Sequence, residues 1–198
     1  MSGYKYDVFI SYCRHGSVQK WLMNHFHPKL RDCLADQVAP APKVYVDRTM
    51  RRGVHWPSDL RHAVRHSKIM VQLLTPGYFQ SPWCMAEWRS MQERQKVLGL
   101  ANLDFPQGLV YPILYSDSDN FPDEGRQLSW WDFKEFGYPE LVYQESRDFI
   151  HFHRKVAELA ADLAALLRQV PEWQPDWPIV EAPDPVIIPP PPMPRFDP

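Results

Sequence analysis

Residues 69–74, Ile-Met-Val-Gln-Leu-Leu, are almost wholly apolar and end at the turn-forming sequence Thr75-Pro76-Gly77. An apolar run of this length is typical of a strand that is covered on both faces, as in the middle of a parallel sheet. A helix is predicted next, from the stretch beginning Ser81-Pro82 to about Val97. A covered strand followed by a helix is the repeating unit of α/β folds, so this stretch predicts that class.

Strand and helix patterns alternate along the rest of the chain. Residues 6–12, Tyr-Asp-Val-Phe-Ile-Ser-Tyr, predict a central strand, and apolar residues at helical spacing follow from Val18 to Leu34, where Pro28 should bend or split the helix. Pro112 places the fourth strand towards a sheet edge. The alternation predicts a doubly wound, mainly parallel sheet with helices on both faces. The other predicted strands are 43–47, 109–114 and a short fifth at 131–133 or 141–142, and the other predicted helices begin near Ser58 and span Ser146 to Val170.

Composition narrows the classes of function. The net charge of -2 lacks the basic excess of a nucleic-acid binder, although five arginines between 48 and 65 form a local basic cluster. The chain shows neither an apolar run long enough to span a bilayer nor a signal-peptide pattern at its start, so a cytoplasmic protein without a membrane partner is predicted. The three cysteines match neither a disulfide framework nor a zinc pattern. The histidine pairs 25/27 and 151/153 point to different helix faces, so no metal site is predicted.

Proline marks the domain boundary. Of the 21 prolines in the chain, 11 lie between Pro171 and Pro198. Proline lacks the backbone donor that helices and sheets require, so this tail is predicted to be disordered or extended. The folded domain is therefore predicted to cover residues 1–170 and the tail 171–198. The tail could also bind a proline-recognition module or link to a partner protein.

Three predicted loops should meet at one rim of the sheet. In doubly wound sheets, ligands bind outside the carboxyl ends of the strands, which selects residues 12–16, 47–56 and 81–87. These loops contain groups suited to a nucleotide: Arg14 for phosphate, Trp56 and Trp83 for stacking, and Glu87 for a ribose hydroxyl or a developing positive charge.

Trp83 and Glu87 are four residues apart, so on a helix they face the same space. Taken alone, this pair has a simpler explanation, in which Trp83 packs in the core and Glu87 lies on a solvated face near the helix start. The functional interpretation depends on the convergence of all three loops.

In order and spacing, the chain resembles a TIR (Toll/interleukin-1 receptor) domain from about Tyr6 to Val170. The resemblance is carried by four segments: Tyr-Asp-Val-Phe-Ile-Ser-Tyr at 6–12, Tyr-Val-Asp at 45–47 with the following loop containing Gly53, residues 67–79, and Ser-Pro-Trp-Cys-Met-Ala-Glu at 81–87. It implies a flavodoxin-like fold of about five strands.

The resemblance also implies a site at which NAD+ is the substrate, with no separate cofactor. Glu87 matches the catalytic glutamate of NAD+-cleaving members, and Trp83 matches the aromatic residue that precedes this glutamate in those members. Arg14 falls where such members carry a basic residue for the phosphates or ribose, and Trp56 lies in the mobile BB loop that could cover the pocket. Tyr12, Cys13 and Asp47 are further candidates by position.

Two functions are open on this resemblance. The first is an NAD+ glycohydrolase or cyclase that self-associates with other copies, as bacterial TIR defence effectors do, and that is activated by concentration or by a partner acting through the tail. The second is a non-catalytic interaction module, as in animal receptor adaptors.

Overall fold

Five parallel strands form one sheet in the order β2-β1-β3-β4-β5. This computed structural model describes residues 3–47, 56–102, 107–117 and 121–182, with the backbone alone at 56–58. The predicted doubly wound parallel sheet of about five strands is confirmed, with the strand order of a flavodoxin-like fold. The strands are β1 (Tyr6–Tyr12), β2 (Val44–Val46), β3 (Ser67–Leu74), β4 (Val110–Leu114) and β5 (Trp131–Asp132).

Helices cover both faces of the sheet. α2 packs against α6, and α3 packs against α4 beside β1. The apolar run that predicted the class lies in β3, where every residue from Ile69 to Leu74 is buried. The helices are α1 (Val18–Trp21), α2 (His27–Gln37), α3 (Trp56–Arg65), α4 (Pro82–Leu98), α5 (Asp123–Arg126) and α6 (Asp148–Leu167).

The structure fixes three element boundaries that the sequence patterns left approximate. A π-helical stretch, Leu22–Phe26, separates α1 from α2 just before Pro28, which has no backbone N–H to continue a regular helix. α3 begins at Trp56 and not near Ser58, because a proline is tolerated in the first turn of a helix. The fifth strand is Trp131–Asp132, whereas residues 141–145 form a 3₁₀-helix.

β4 is second from the edge of the sheet, with β5 outside it, so its predicted position towards an edge is confirmed. β5 pairs with β4 at Ile113 and Leu114, one residue past Pro112.

The described part of the proline-rich tail, residues 171–182, lies against the domain. Trp177 is 2% exposed, and Ile179 packs against the main core. The packed chain therefore continues beyond Val170. Residues 183–198 lie outside the described residues, and their predicted disorder stays a prediction.

Within the described ranges, no helix is long and apolar enough to cross a membrane. The same ranges hold no cluster of three or more His, Cys, Asp or Glu side chains arranged for a metal ion.

Candidate active site

The carboxyl ends of β1 and β2 meet the first turns of α4 at one rim of the sheet. α4 begins sharply because Ser81 caps it, its Oγ accepting a hydrogen bond from the Cys84 backbone N–H at 3.3 Å, and because Pro82 occupies the first turn. This start places Glu87 in the second turn of α4, above the end of β1.

Glu87 is half-buried, and its carboxylate accepts a hydrogen bond from a residue of β1. The Ser11 hydroxyl on β1 donates a hydrogen bond to Glu87 Oε2 at 2.5 Å. Burial raises the pKa of Glu87 to about 8, and the nearby charge of Asp47 also raises it, while the Ser11 hydrogen bond and Arg14 oppose the change. The carboxyl group is therefore poised to change charge in the neutral range, and a cation nearby would favour its ionised form.

A second hydroxyl supports Ser11. Tyr78 is fully buried, and its hydroxyl lies 2.8 Å from Ser11 Oγ. The Tyr78 hydroxyl also lies 3.3 Å from the Cys84 backbone carbonyl, to which it donates, so its contact with Ser11 holds the serine hydroxyl in place beside Glu87. Neither Ser11 nor Tyr78 was predicted from the sequence as a site residue. A serine inside an apolar strand was the available signal, since buried hydroxyls need partners.

Arg14 and Asp47 form an ion pair across the ends of β1 and β2. Their side chains are 32% and 14% exposed, so the guanidinium retains a face towards solvent. Tyr12 lies beside them, and its hydroxyl donates to the Asp47 backbone carbonyl at 2.7 Å. Burial raises the pKa of Tyr12 to about 12, which keeps this phenol protonated as a donor. The structure thus brings Tyr12, Arg14, Asp47 and Glu87 together.

The other predicted site residues are placed differently. Trp83 is partly buried on the Glu87 side of α4 and packs against the core. The Cys13 side chain is buried in a small apolar cluster with Leu74 and Cys84 at the carboxyl ends of the strands, so it packs beneath the rim and does not face it. The side chain of Trp56 and the whole of the loop residue Gly53 lie outside the described residues, so the predicted role of Trp56 stays a prediction.

Cys84 is unsuited to act as a nucleophile. The residue is 4% exposed, and burial raises the pKa of its thiol well above the ordinary value, so the thiolate is scarce at neutral pH. The chemistry available at the rim is therefore that of one carboxylate and one guanidinium–carboxylate pair. Such a set can bind a polyhydroxylated phosphate ester and stabilise positive charge on it.

Comparison with known proteins identifies the family. The sequence pattern of the family described as TIR domain matches residues 8–142, which is more than half of the chain. The protein therefore belongs to the TIR domain family.

Individual relatives are more distant. The chain is 30% identical over 94 residues to Disease resistance protein TAO1 of Arabidopsis thaliana, a match that covers 48% of this chain and 7% of that protein. The chain thus spans a small part of that relative's length.

Two solved structures of TIR domains show a distant similarity to this chain. The TIR domain of the Toll-related receptor TRR-2 from Hydra magnipapillata is 20% identical, with a TM-score of 0.47 over 76% of this chain and 99% of that one. The TIR domains in a structure of the activated Roq1 resistosome, which directly recognises the pathogen effector XopQ, are 18% identical, with a TM-score of 0.41 over 82% of this chain and 85% of that one.

Proposed function

We propose that this TIR domain cleaves NAD+ at the bond between nicotinamide and ribose. The observation that carries the proposal is the position of Glu87. Its half-buried carboxylate lies at the ligand-binding rim of the sheet, is fixed by Ser11, and is within the electrostatic influence of Arg14 and Asp47.

The reaction needs what this rim supplies. When the bond between ribose C1′ and the nicotinamide nitrogen breaks, the electron pair goes to nitrogen, so nicotinamide leaves as a neutral molecule. Positive charge then develops on the ribose, as in an oxocarbenium-like transition state. The ionised Glu87 carboxylate stabilises that charge without donating a proton, because the leaving group is already neutral. Water adds at C1′ and loses a proton to give ADP-ribose, or an internal nucleophile closes a cyclic isomer.

The Arg14–Asp47 pair suits the rest of the substrate. The partly exposed guanidinium of Arg14 can bind a phosphate oxygen, and the Asp47 carboxylate holds the guanidinium in place. Tyr12 adds rigidity, since its hydroxyl ties the end of β1 to the end of β2. These groups would bind and orient NAD+, whereas Glu87 acts at the reacting carbon.

We further propose that the domain works in the cytoplasm as a defence effector that self-associates and responds to a partner or to its own concentration. Membership of the TIR family supports this role. The matched relative named a disease resistance protein supports it further. NAD+ is the proposed substrate, so no bound cofactor is required.

The direct test is product analysis. Concentrated full-length protein is incubated with NAD+, and nicotinamide, ADP-ribose and cyclic isomers are separated by chromatography while light scattering records the assembly state. We expect nicotinamide to be released in step with NAD+ loss, and faster when assemblies are present. An assembled sample that leaves NAD+ intact would leave the non-catalytic interaction module as the function.

The pH dependence follows from Glu87. Because the reaction needs the ionised carboxylate and burial holds its pKa at about 8, kcat/KM should rise by about tenfold per pH unit below that value and level off above it. In the complex, the cationic pyridinium of NAD+ favours the ionised carboxylate, so the corresponding limb of kcat should lie at lower pH. Both limbs are measured from about pH 5 to pH 9. A kcat/KM that falls with rising pH would contradict an ionised Glu87.

A further inference from the structure

The chain that follows α6 crosses the outer surface of α3 and α4. We call residues 171–182 the C-terminal strap. Trp173 anchors its first half, with its ring stacked on His66 at a centroid distance of 5.0 Å and its Nε1 donating to the last backbone carbonyl of α3 at 3.2 Å. Trp177 anchors its middle, where the indole is 2% exposed and covers the buried Arg94 guanidinium at 5.2 Å. The strap is therefore fixed to the domain as far as Trp177.

The end of the strap is held by weaker contacts. Ile179 is partly buried against the core, and the Val180 backbone N–H donates to Ser90 Oγ on α4 at 2.9 Å. Glu181 forms an ion pair with Arg61 on α3, also at 2.9 Å. The two side chains of this pair are 80% and 36% exposed, and exposed ion pairs contribute little to stability. The end of the strap can therefore leave the helices while the two tryptophans stay in place.

The end of the strap fills the space beside Glu87. The gap that remains between α3, α4 and the strap has a volume of about 10 Å³, which is room for about one water molecule. Glu87 and Trp83 line this gap from α4, and Ile179 and Val180 close it from the strap. A group as large as a ribose or a pyridine ring cannot approach Glu87 from this side while the strap is in place.

We propose that the end of the strap, residues 179–182, is an autoinhibitory cover over Glu87, which must leave the surface of α3 and α4 before NAD+ can place its ribose against the carboxylate. The inference rests on the proposed function and adds its regulation. Only the uncovered form binds NAD+, so the apparent affinity falls in proportion to the fraction of molecules that are uncovered. A protein that captures the end of the strap would raise this fraction, which gives a signal acting through the tail its point of action.

A cover and a purely stabilising strap have different effects on the kinetics. If the strap only stabilises the domain, breaking its last contacts lowers the melting temperature and leaves the KM for NAD+ unchanged. If the strap is a cover, breaking the same contacts lowers the KM with little change in kcat, because NAD+ no longer competes with the strap for access to Glu87.

Two variants of the whole chain release the end of the strap. Val180→Pro removes the N–H that donates to Ser90, and Glu181→Arg replaces the ion pair with a repulsion from Arg61. We expect each variant to lower the KM for NAD+ by about two- to tenfold with kcat nearly unchanged, since the loss of one such contact changes the uncovered fraction by about this factor. Combining Glu181→Arg with Arg61→Glu reverses the ion pair and should restore the KM of the wild type. The matched control is Glu145→Arg, an exposed acid in the 3₁₀-helix before α6, which should behave as the wild type.

Chemical labelling tests the cover without depending on NAD+. A water-soluble carbodiimide with an amine labels accessible carboxyl groups, and mass spectrometry of the peptides gives the rate at Glu87. Glu93 on the same helix is 46% exposed and serves as the internal reference. We expect both release variants to label Glu87 faster by about the factor by which their KM falls, and to label Glu93 at the rate of the wild type. Thermal unfolding of each variant verifies that it is folded.

The results distinguish the cover from the proposed function. Labelling of Glu87 at the wild-type rate in both release variants, or a KM for NAD+ that does not fall, would overturn the cover. Faster labelling of Glu87 without nicotinamide release by any of the proteins would overturn the proposed function and leave the cover standing.

Discussion

Replacing Glu87 by glutamine is expected to lower the rate of nicotinamide release by about 10³-fold, with a much smaller change in NAD+ affinity. The amide keeps the shape of the carboxyl group, and its carbonyl oxygen can still accept the hydrogen bond from Ser11. What it loses is the negative charge that, in the proposed reaction, would stabilise the ribosyl cation, and the loss of one such electrostatic contact costs about 10² to 10³ in rate. The measurement is single-turnover release of nicotinamide at a pH above the pKa of Glu87.

The melting temperature distinguishes a loss of catalysis in Glu87→Gln from a loss of folding. The pKa of Glu87 is raised to about 8 from its ordinary 4.5, so the folded state holds a proton that the unfolded chain has lost. Between these values the carboxyl group makes folding less favourable as pH rises. Glu87→Gln removes that cost, so its melting temperature should equal or exceed that of the wild type near pH 8.

The matched control is Glu93→Gln, on the same helix. The Glu93 side chain is 46% exposed and pairs with Lys96 at 2.6 Å, so its loss should leave nicotinamide release unchanged. Equal release by wild type and Glu87→Gln would remove Glu87 from the reaction.

The fold could be predicted because its signals are local. The apolar run at 69–74 and the 3.6-residue period of α6 report burial directly, and alternating strands and helices restrict the sheet to a few topologies. The ends of the helices and strands could be predicted less closely from the sequence. The start of α3 at Trp56 was missed because Pro57 was read as a barrier to helix, whereas a proline is tolerated in the first turn.

The candidate site was only partly predictable for a related reason. Arg14, Asp47 and Glu87 follow strands or open a helix, so topology alone brings them to one rim. Ser11 and Tyr78 are far apart in sequence, and their contact depends on how the turn after β3 folds back beneath α4. The packing of residues 171–182 against the domain could not be predicted, because a proline-rich sequence has no helical or strand periodicity that would identify Trp177 as a buried residue.

Replacing Arg94 by methionine is expected to destabilise the domain by about 3 to 5 kcal/mol, because three backbone carbonyls lose their donor. Arg94 is fully buried, and its guanidinium donates to three backbone carbonyls, those of Ser67 at 2.7 Å, Val64 at 3.0 Å and Arg65 at 3.3 Å. Burial lowers the pKa of Arg94 to about 10, so the side chain is still cationic at neutral pH. Its charge therefore lies at the carboxyl end of α3, where helix carbonyls lack partners of their own.

Methionine fills much of the same volume but has no donor and no charge, so the main loss is that of the hydrogen bonds, together with the contact between the guanidinium and the Trp177 ring. Each buried carbonyl left without a partner costs about 1 to 3 kcal/mol. For a domain of this size, about 3 to 5 kcal/mol corresponds to a fall in melting temperature of about 6 to 20 °C.

The melting temperature of Arg94→Lys should lie between that of the wild type and that of Arg94→Met, because one ammonium cannot reach all three carbonyls in the geometry of the guanidinium. Arg89→Met, at an exposed position of the same helix, should change stability by less than about 0.5 kcal/mol. Scanning calorimetry of the three variants tests this prediction. An Arg94→Met protein with the melting temperature of the wild type would contradict it, because those carbonyls would then have other partners.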